Sequence, residues 1–192
     1  MRRRAVPPDE WQFGSRTSEE VRGTLLRLLL DFVREVRLLP APPRVALLGS
    51  LLTSKRRPHD VDVVLTVSAM SDLTALAPLA RRLKGRTQGI NAGADIFLAT
   101  PDGHYVGRVC SYRECHPRAL CHARHCGARP HLNDDLDVIC LSAETVQGAL
   151  ELSPIVADGA HAPPDVVAQL LDPLRSDVAG GGQPLDNSAP AL

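Results

Sequence analysis

Asp60 and Asp62 interrupt an otherwise apolar, β-branched run, Asp60-Val61-Asp62-Val63-Val64-Leu65-Thr66-Val67, whose composition predicts a strand. Side chains alternate along a strand, so acids two residues apart share one face. Two carboxylates side by side on an apolar strand repel each other and resist burial. The plain reading is a strand-end or turn pair open to water. The sharper reading places a divalent cation between them. Mg2+ takes a few carboxylates together with phosphate oxygens, so such a pair at a strand end suits a metal–triphosphate site.

The flanking sequence sharpens that reading. Arg44-Val45-Ala46-Leu47-Leu48 is a short apolar run stopping at Gly49-Ser50, as a buried strand would. Gly49 lets a phosphate approach the backbone, and Ser50 adds a hydroxyl donor. Nine residues separate Ser50 from Asp60, and the polar loop they form carries Lys55, Arg56 and Arg57. That cationic run reads either as a solvated loop or as a phosphate clamp through Lys55 and Arg56. Asp95 opens a third strand, Ala94 to Thr100, and can approach the pair if this strand neighbours the second.

Gly49-Ser50, nine residues and then Asp60-Val61-Asp62-Val63, followed a helix and a strand later by Asp95, resembles the signature of the DNA polymerase beta-like nucleotidyltransferase superfamily. The likeness is to its small bacterial, minimal-type domains, including the toxin–antitoxin and antibiotic-modifying branches, and covers roughly residues 20 to 100. It implies a small mixed sheet backed by helices and the transfer of a nucleoside monophosphate from a nucleoside triphosphate to an acceptor hydroxyl. The acceptor would be a protein, an RNA or a small molecule. It further implies that Asp60, Asp62 and Asp95 are catalytic and hold two Mg2+ ions, and that Gly49 and Ser50 hold the phosphates. The rival expectation is a chain that keeps this fold, has lost the chemistry, and binds nucleic acid or a partner protein.

Around this centre the pattern is that of an α+β domain. Thr17-Ser18-Glu19-Glu20 is a capping-box sequence, and Val21, Leu25, Leu28, Leu29, Phe32, Val36 and Leu39 follow at helical spacing until Pro40, Pro42 and Pro43. Ser71 is a candidate cap for a helix reaching about Leu83, with Pro78 as an interruption. Strands are expected at Tyr105 to Cys110 and Leu136 to Leu141. Short helices are expected from Ser142 to Leu150 and from Pro164 to Leu174. The expected organisation is an arm over 1–16, a nucleotidyltransferase-like domain over 17–152, a helical extension over 153–175 and a disordered, Gly- and Pro-rich tail over 176–192.

Cys110, Cys115, Cys121 and Cys126 lie close together with His116, His122, His125 and His131 interleaved, in a segment (110–133) poor in apolar residues. Zinc held by Cys115, Cys121 and Cys126, with Cys110 or a nearby histidine as the fourth ligand, would supply what the missing core does not. Ordinary free thiols, or a redox disulfide, remain open beside it, because the Cys-x2-Cys knuckle spacing is absent. Cys140 falls in the expected last strand as a core residue. Arg108, just before this segment, and Arg113, Arg118, Arg124 and Arg129 within it are candidate contacts to an RNA or phosphorylated acceptor, or a solubilising surface.

Twenty-two basic and 22 acidic residues balance to a net charge of zero, so charge selects no partner class. No apolar run approaches a membrane span, and the basic start Met1-Arg2-Arg3-Arg4 is followed by Pro7, Pro8, Asp9 and Glu10 rather than an apolar stretch. The expectation is a cytoplasmic protein with no membrane partner.

Overall fold

A computed structural model describes residues 17–68, 72–115, 121, 123–124, 128–154 and 162–180. The architecture is α+β: a mixed sheet of six strands with helices packed on it. Helix α1 (Ser18–Arg37) begins with the predicted capping box. Thr17 Oγ1 accepts from the Glu20 amide at 3.3 Å, and the Glu20 carboxylate accepts from the Thr17 amide at 2.7 Å. Its apolar stripe is fully used: Leu25, Leu26, Leu29, Val33 and Val36 have no exposed surface. Each such leucine contributes about 1.5–3 kcal/mol of burial.

Strand β1 (Arg44–Leu48) leads through a 3-10 turn (Gly49–Leu52) and a loop to β2 (Asp60–Thr66). Helix α2 (Leu76–Gln88) carries the chain over to β3 (Gly93–Ala99), which therefore runs parallel to β2. Then come β4 (Tyr105–Val109), a short α3 (Tyr112–Cys115), β5 (Leu132–Asn133), α4 (Ala143–Gln147) and β6 (Leu150–Ser153). The strand order is β5-β4-β3-β2-β1-β6, and every pair except β2–β3 is antiparallel. The chain closes with α5 (Pro164–Val166), a π-helical turn (Val167–Leu171) and α6 (Asp172–Gly180).

The two sheet faces differ. Val45, Leu47, Val61, Val63, Leu65, Ala94, Ile96 and Leu98 point to one face and form the main core with α1, α2 and the C-terminal helical segment. The other face carries a smaller cluster, Leu48, Val64, Phe97 and Ala99, flanked by Tyr105, Ile139, Leu141 and Val146. The alternation that sends Val61, Val63 and Leu65 into the main core necessarily sends Asp60 and Asp62 to the opposite face, away from α1 and α2.

Several elements differ from expectation. Helix α2 begins at Leu76, so Pro78 lies in its first turn, where a missing amide costs nothing, and the helix runs on to Gln88; Ser71 lies outside the described residues. Leu136 to Leu141 is not a strand: Val138 is 69% exposed and Cys140 is exposed rather than a core residue. The sixth strand is β6, on the far edge beside β1. Ser142 does cap its helix, accepting from the Thr145 amide at 3.2 Å, but the helix stops at Gln147. Leu170, Leu171 and Leu174 are fully buried in the main core, to which the C-terminal helices therefore contribute. Regular structure continues past Ser176 to Gly180, and Arg34 of α1 donates to Asp177 at 2.7 and 3.0 Å. The arm over 1–16 and residues 181–192 lie outside the described residues. No described helix is long and apolar enough to cross a membrane.

Candidate active site

The parallel register of β2 and β3 sets Asp60 beside Gly93 and Asp62 beside Asp95. Partners in register share a face, so all three acids stand together on the face opposite α1 and α2, at the same ends of two central strands. Asp60 is exposed, and Asp62 and Asp95 are half-buried. The neighbouring glycines leave room for the carboxylates. A Cβ at Gly93 would collide with the Asp60 carboxylate, and one at Gly49 with the Asp62 carboxylate. Gly49 also has φ +72°, a left-handed conformation natural to glycine. Leu48 pairs with Asp62, so the Gly49-Ser50 turn sits directly against the middle acid.

The electrostatics follow from this crowding. Burial pushes the Asp62 carboxyl up to about 6, and the charges of Asp60 and Asp95 push in the same direction. Asp95 is held by a cation: Lys84 Nζ of α2 donates to its Oδ1 at 3.1 Å. As the side chains stand, no three His, Cys, Asp or Glu among the described residues are grouped closely enough to hold a metal ion. The donor chemistry nevertheless suits a hard divalent cation. Three carboxylates share a face beside two glycines that leave room for them, and among the described residues no opposite charge offsets the partial burial of Asp62.

Next to Asp95 the same face carries Arg108, whose strand partner is Phe97. Burial opposes the Arg108 charge, but the hydrogen bond and charge of Glu114 outweigh it and raise its pKa. Burial likewise works against the Glu114 carboxylate, yet Arg108 and the Ser111 amide hold it below the usual range. The contacts are 2.5 Å from Arg108 and 2.7 Å from the Ser111 amide. Arg108 was singled out by the sequence pattern only as one of five arginines beside the cysteines, and Lys84 and Glu114 were not singled out at all. Lys84 borders the buried stripe Leu76, Ala80, Leu83 and Thr87, a position from which a long side chain can reach past a sheet edge, and that is the only signal it left.

Lys55 and Arg56 are exposed and line a cavity of about 440 Å3 with Arg22, Pro164 and Asp165; none of the three acids lines it. A separate cavity of about 280 Å3 lies at the far end of the acid-bearing face, bordered by Ala46, Val64, Thr66, Val146 and Gln147.

The cysteine segment is only partly described. Cys110 is buried, and Arg81 donates to its carbonyl and its sulfur, both at 3.1 Å. The same guanidinium lies 3.3 Å from His131 Nδ1. Cys121 and Cys140 are free thiols. Cys126, the Cys115 side chain, and His116, His122 and His125 lie outside the described residues. Of the arginines, Arg108 is paired with Glu114, Arg124 with Asp137 at 2.6 Å, and Arg129 donates to the Ser68 carbonyl at 3.2 Å.

No curated protein matches the chain, and no solved structure does either. Residues 10–119 match the model of a family described as "Family of unknown function (DUF6932)", a stretch that includes Gly49, Ser50, Asp60, Asp62 and Asp95. The match takes in more than half of the 192 residues, and the chain belongs to that family.

Proposed function

We propose that the chain is a Mg2+-dependent nucleotidyltransferase, moving a nucleoside monophosphate from a nucleoside triphosphate to an acceptor hydroxyl on a protein, an RNA or a small molecule. The observation that carries this reading is the register of Asp62 with Asp95, with Asp60 two residues earlier on the same face and Gly49 against Asp62. Asp60 and Asp62 would hold the cations, with Asp95 completing the set. Bound Mg2+ supplies charge neutralisation and in-line alignment of the attacking and leaving oxygens. The backbone at Gly49, which carries no side chain, and the Ser50 hydroxyl would hold the outer phosphates. Asp95 would accept the proton of the acceptor hydroxyl. The acceptor oxygen then bonds to the α-phosphorus, the bond from that phosphorus to the bridging oxygen breaks, and pyrophosphate departs with the electron pair.

The test is incubation with four α-labelled triphosphates, Mg2+ and a total cell extract. Label should pass to an acceptor for at least one nucleotide with the wild-type chain and for none with Asp62→Asn. A second reading, a module that keeps the fold and binds a partner through the Cys/His/Arg segment, is favoured by one observation. Lys84 already neutralises Asp95, and no three acids stand in metal-holding proximity among the described residues. No transfer of any of the four nucleotides, to any acceptor, would move the assignment to it.

A further inference from the structure

Lys84 reaches Asp95 from the wrong side of the sheet. Helix α2 packs on the main-core face through Leu76, Ala77, Ala80 and Leu83, whereas Asp95 points to the opposite face. The route is a gap in the sheet. β4 pairs with β3 only from Phe97 onward, so β3 has no paired β4 residue beside Gly93 to Asp95. Two side chains of α2, one turn apart, enter this gap. Arg81 donates to the Cys110 carbonyl and sulfur just beyond the end of β4, fixing the helix to that strand. Lys84 passes beside it to Asp95 Oδ1, with 24% of its side chain exposed. Its own carbonyl accepts from the Thr87 hydroxyl at 2.9 Å, and Thr87 is fully buried. The ammonium is thus delivered by a rigid helix and is no chance surface pair.

We infer that Lys84 is a resident counter-cation of the third carboxylate: it occupies Asp95 while the site is empty and must be displaced before a divalent cation can use that carboxylate. The inference rests on reading the three acids as a cation site. Its physical basis is competition. A positive charge 3.1 Å from Asp95 Oδ1 takes one of its oxygens and repels a dication brought to the same carboxylate. Asp60 and Asp62 lack such a partner among the described residues, so a first cation would enter there, and Asp95 would join only when Lys84 lets go. Lys84 is a positioning residue: it orders the empty site and lowers its affinity for cations.

The experiment is Mn2+ binding, followed by the loss of the free-ion electron paramagnetic resonance signal, on full-length wild type, Lys84→Met, Lys84→Arg and the pair Asp95→Asn and Lys84→Met/Asp95→Asn. Methionine keeps the packing stem and removes the charge. Lys84→Met should bind Mn2+ about tenfold more tightly than wild type, as expected for removing one nearby charge in a half-wet site. Lys84→Arg should restore wild-type affinity, and in the Asp95→Asn background the Lys84→Met change should have no effect. The melting temperature of Lys84→Met should fall in chelator and rise more with Mn2+ than that of wild type. Equal or weaker Mn2+ binding by a folded Lys84→Met protein overturns the inference while leaving the cation site standing. A wild-type chain that takes up no Mn2+ overturns the cation site itself, and the inference with it.

Discussion

Asp62 and Asp95 are lateral neighbours across the only parallel strand pair among the described strands, and the middle acid is the less comfortable of the two. Asp95 has Lys84. Asp62 has burial and two like charges, which move its carboxyl from 3.8 to about 6. A carboxyl raised in the folded state favours folding in its protonated form. That stability is present below the unfolded value and is lost as pH rises through the folded one.

Asp62→Asn mimics the protonated carboxyl at every pH. Its stability should nearly equal that of wild type near pH 4, exceed it increasingly as pH rises to about 6, and keep a constant advantage above that. The advantage should reach about 2 kcal/mol at pH 7, reduced from the full shift because the carboxyl meets water. Urea unfolding of both proteins across pH 4–8 checks this. A constant difference across that range would show that neither burial nor the two neighbouring acids shift the Asp62 carboxyl.

Gly49→Ala should damage the site locally. The new methyl would strike the Asp62 carboxylate, and φ +72° is unfavourable for alanine. The expected loss is about 1–3 kcal/mol in urea unfolding. Any stabilisation by Mg2+ with a triphosphate should also disappear. A variant as stable as wild type would mean that the turn relaxes away from Asp62.

Arg22 is the main polar tie between the helical layer and the site's turn. It pairs with Asp165 and donates to the Leu51 carbonyl at 2.9 Å and the Lys55 carbonyl at 3.3 Å, with only 10% of its side chain exposed. Arg22→Met leaves two carbonyls and a carboxylate short of a donor and should cost about 2–4 kcal/mol. Asp165→Asn should cost less, because the guanidinium keeps both carbonyls. Chemical unfolding of the two variants gives the ranking.

The C-terminus should divide sharply. Ending the chain before Val178, which is 68% exposed, should leave the melting temperature nearly unchanged. Ending it at Pro163 removes Leu170, Leu171 and Leu174, all fully buried. At about 1.5–3 kcal/mol each, that loss rivals the whole stability of a domain this size, and the truncated chain should not fold. Circular dichroism melts of the two truncations distinguish the cases.

The centre of the fold was legible because local signals there agree. The capping box precedes a regular apolar stripe in α1, and the acids interrupt strands that are otherwise Val, Ile, Leu and Ala. The alternation in β2 alone fixes which face Asp60 and Asp62 share. The periphery was not legible. Leu136 to Leu141 has strand-like composition, yet Ile139 and Leu141 cover the small apolar cluster without pairing to the sheet. β6 is four residues whose place is decided by a partner, β1, about a hundred positions earlier. Lys84 escaped notice for the same reason: its partner is set by where β4 stops pairing, a property of tertiary structure that no local pattern in α2 encodes.

The most direct measurement is the melting temperature of the wild-type chain and of Asp62→Asn with Mg2+ and each of the four nucleoside triphosphates. A ligand at a hundred times its dissociation constant stabilises the folded state by about 2.7 kcal/mol. The expected result is a rise for at least one triphosphate that needs Mg2+ and is absent in Asp62→Asn. Unmoved melting curves for wild type with all four triphosphates, or an equal rise in Asp62→Asn, would contradict the assignment of Asp60, Asp62 and Asp95 as a metal–nucleotide site.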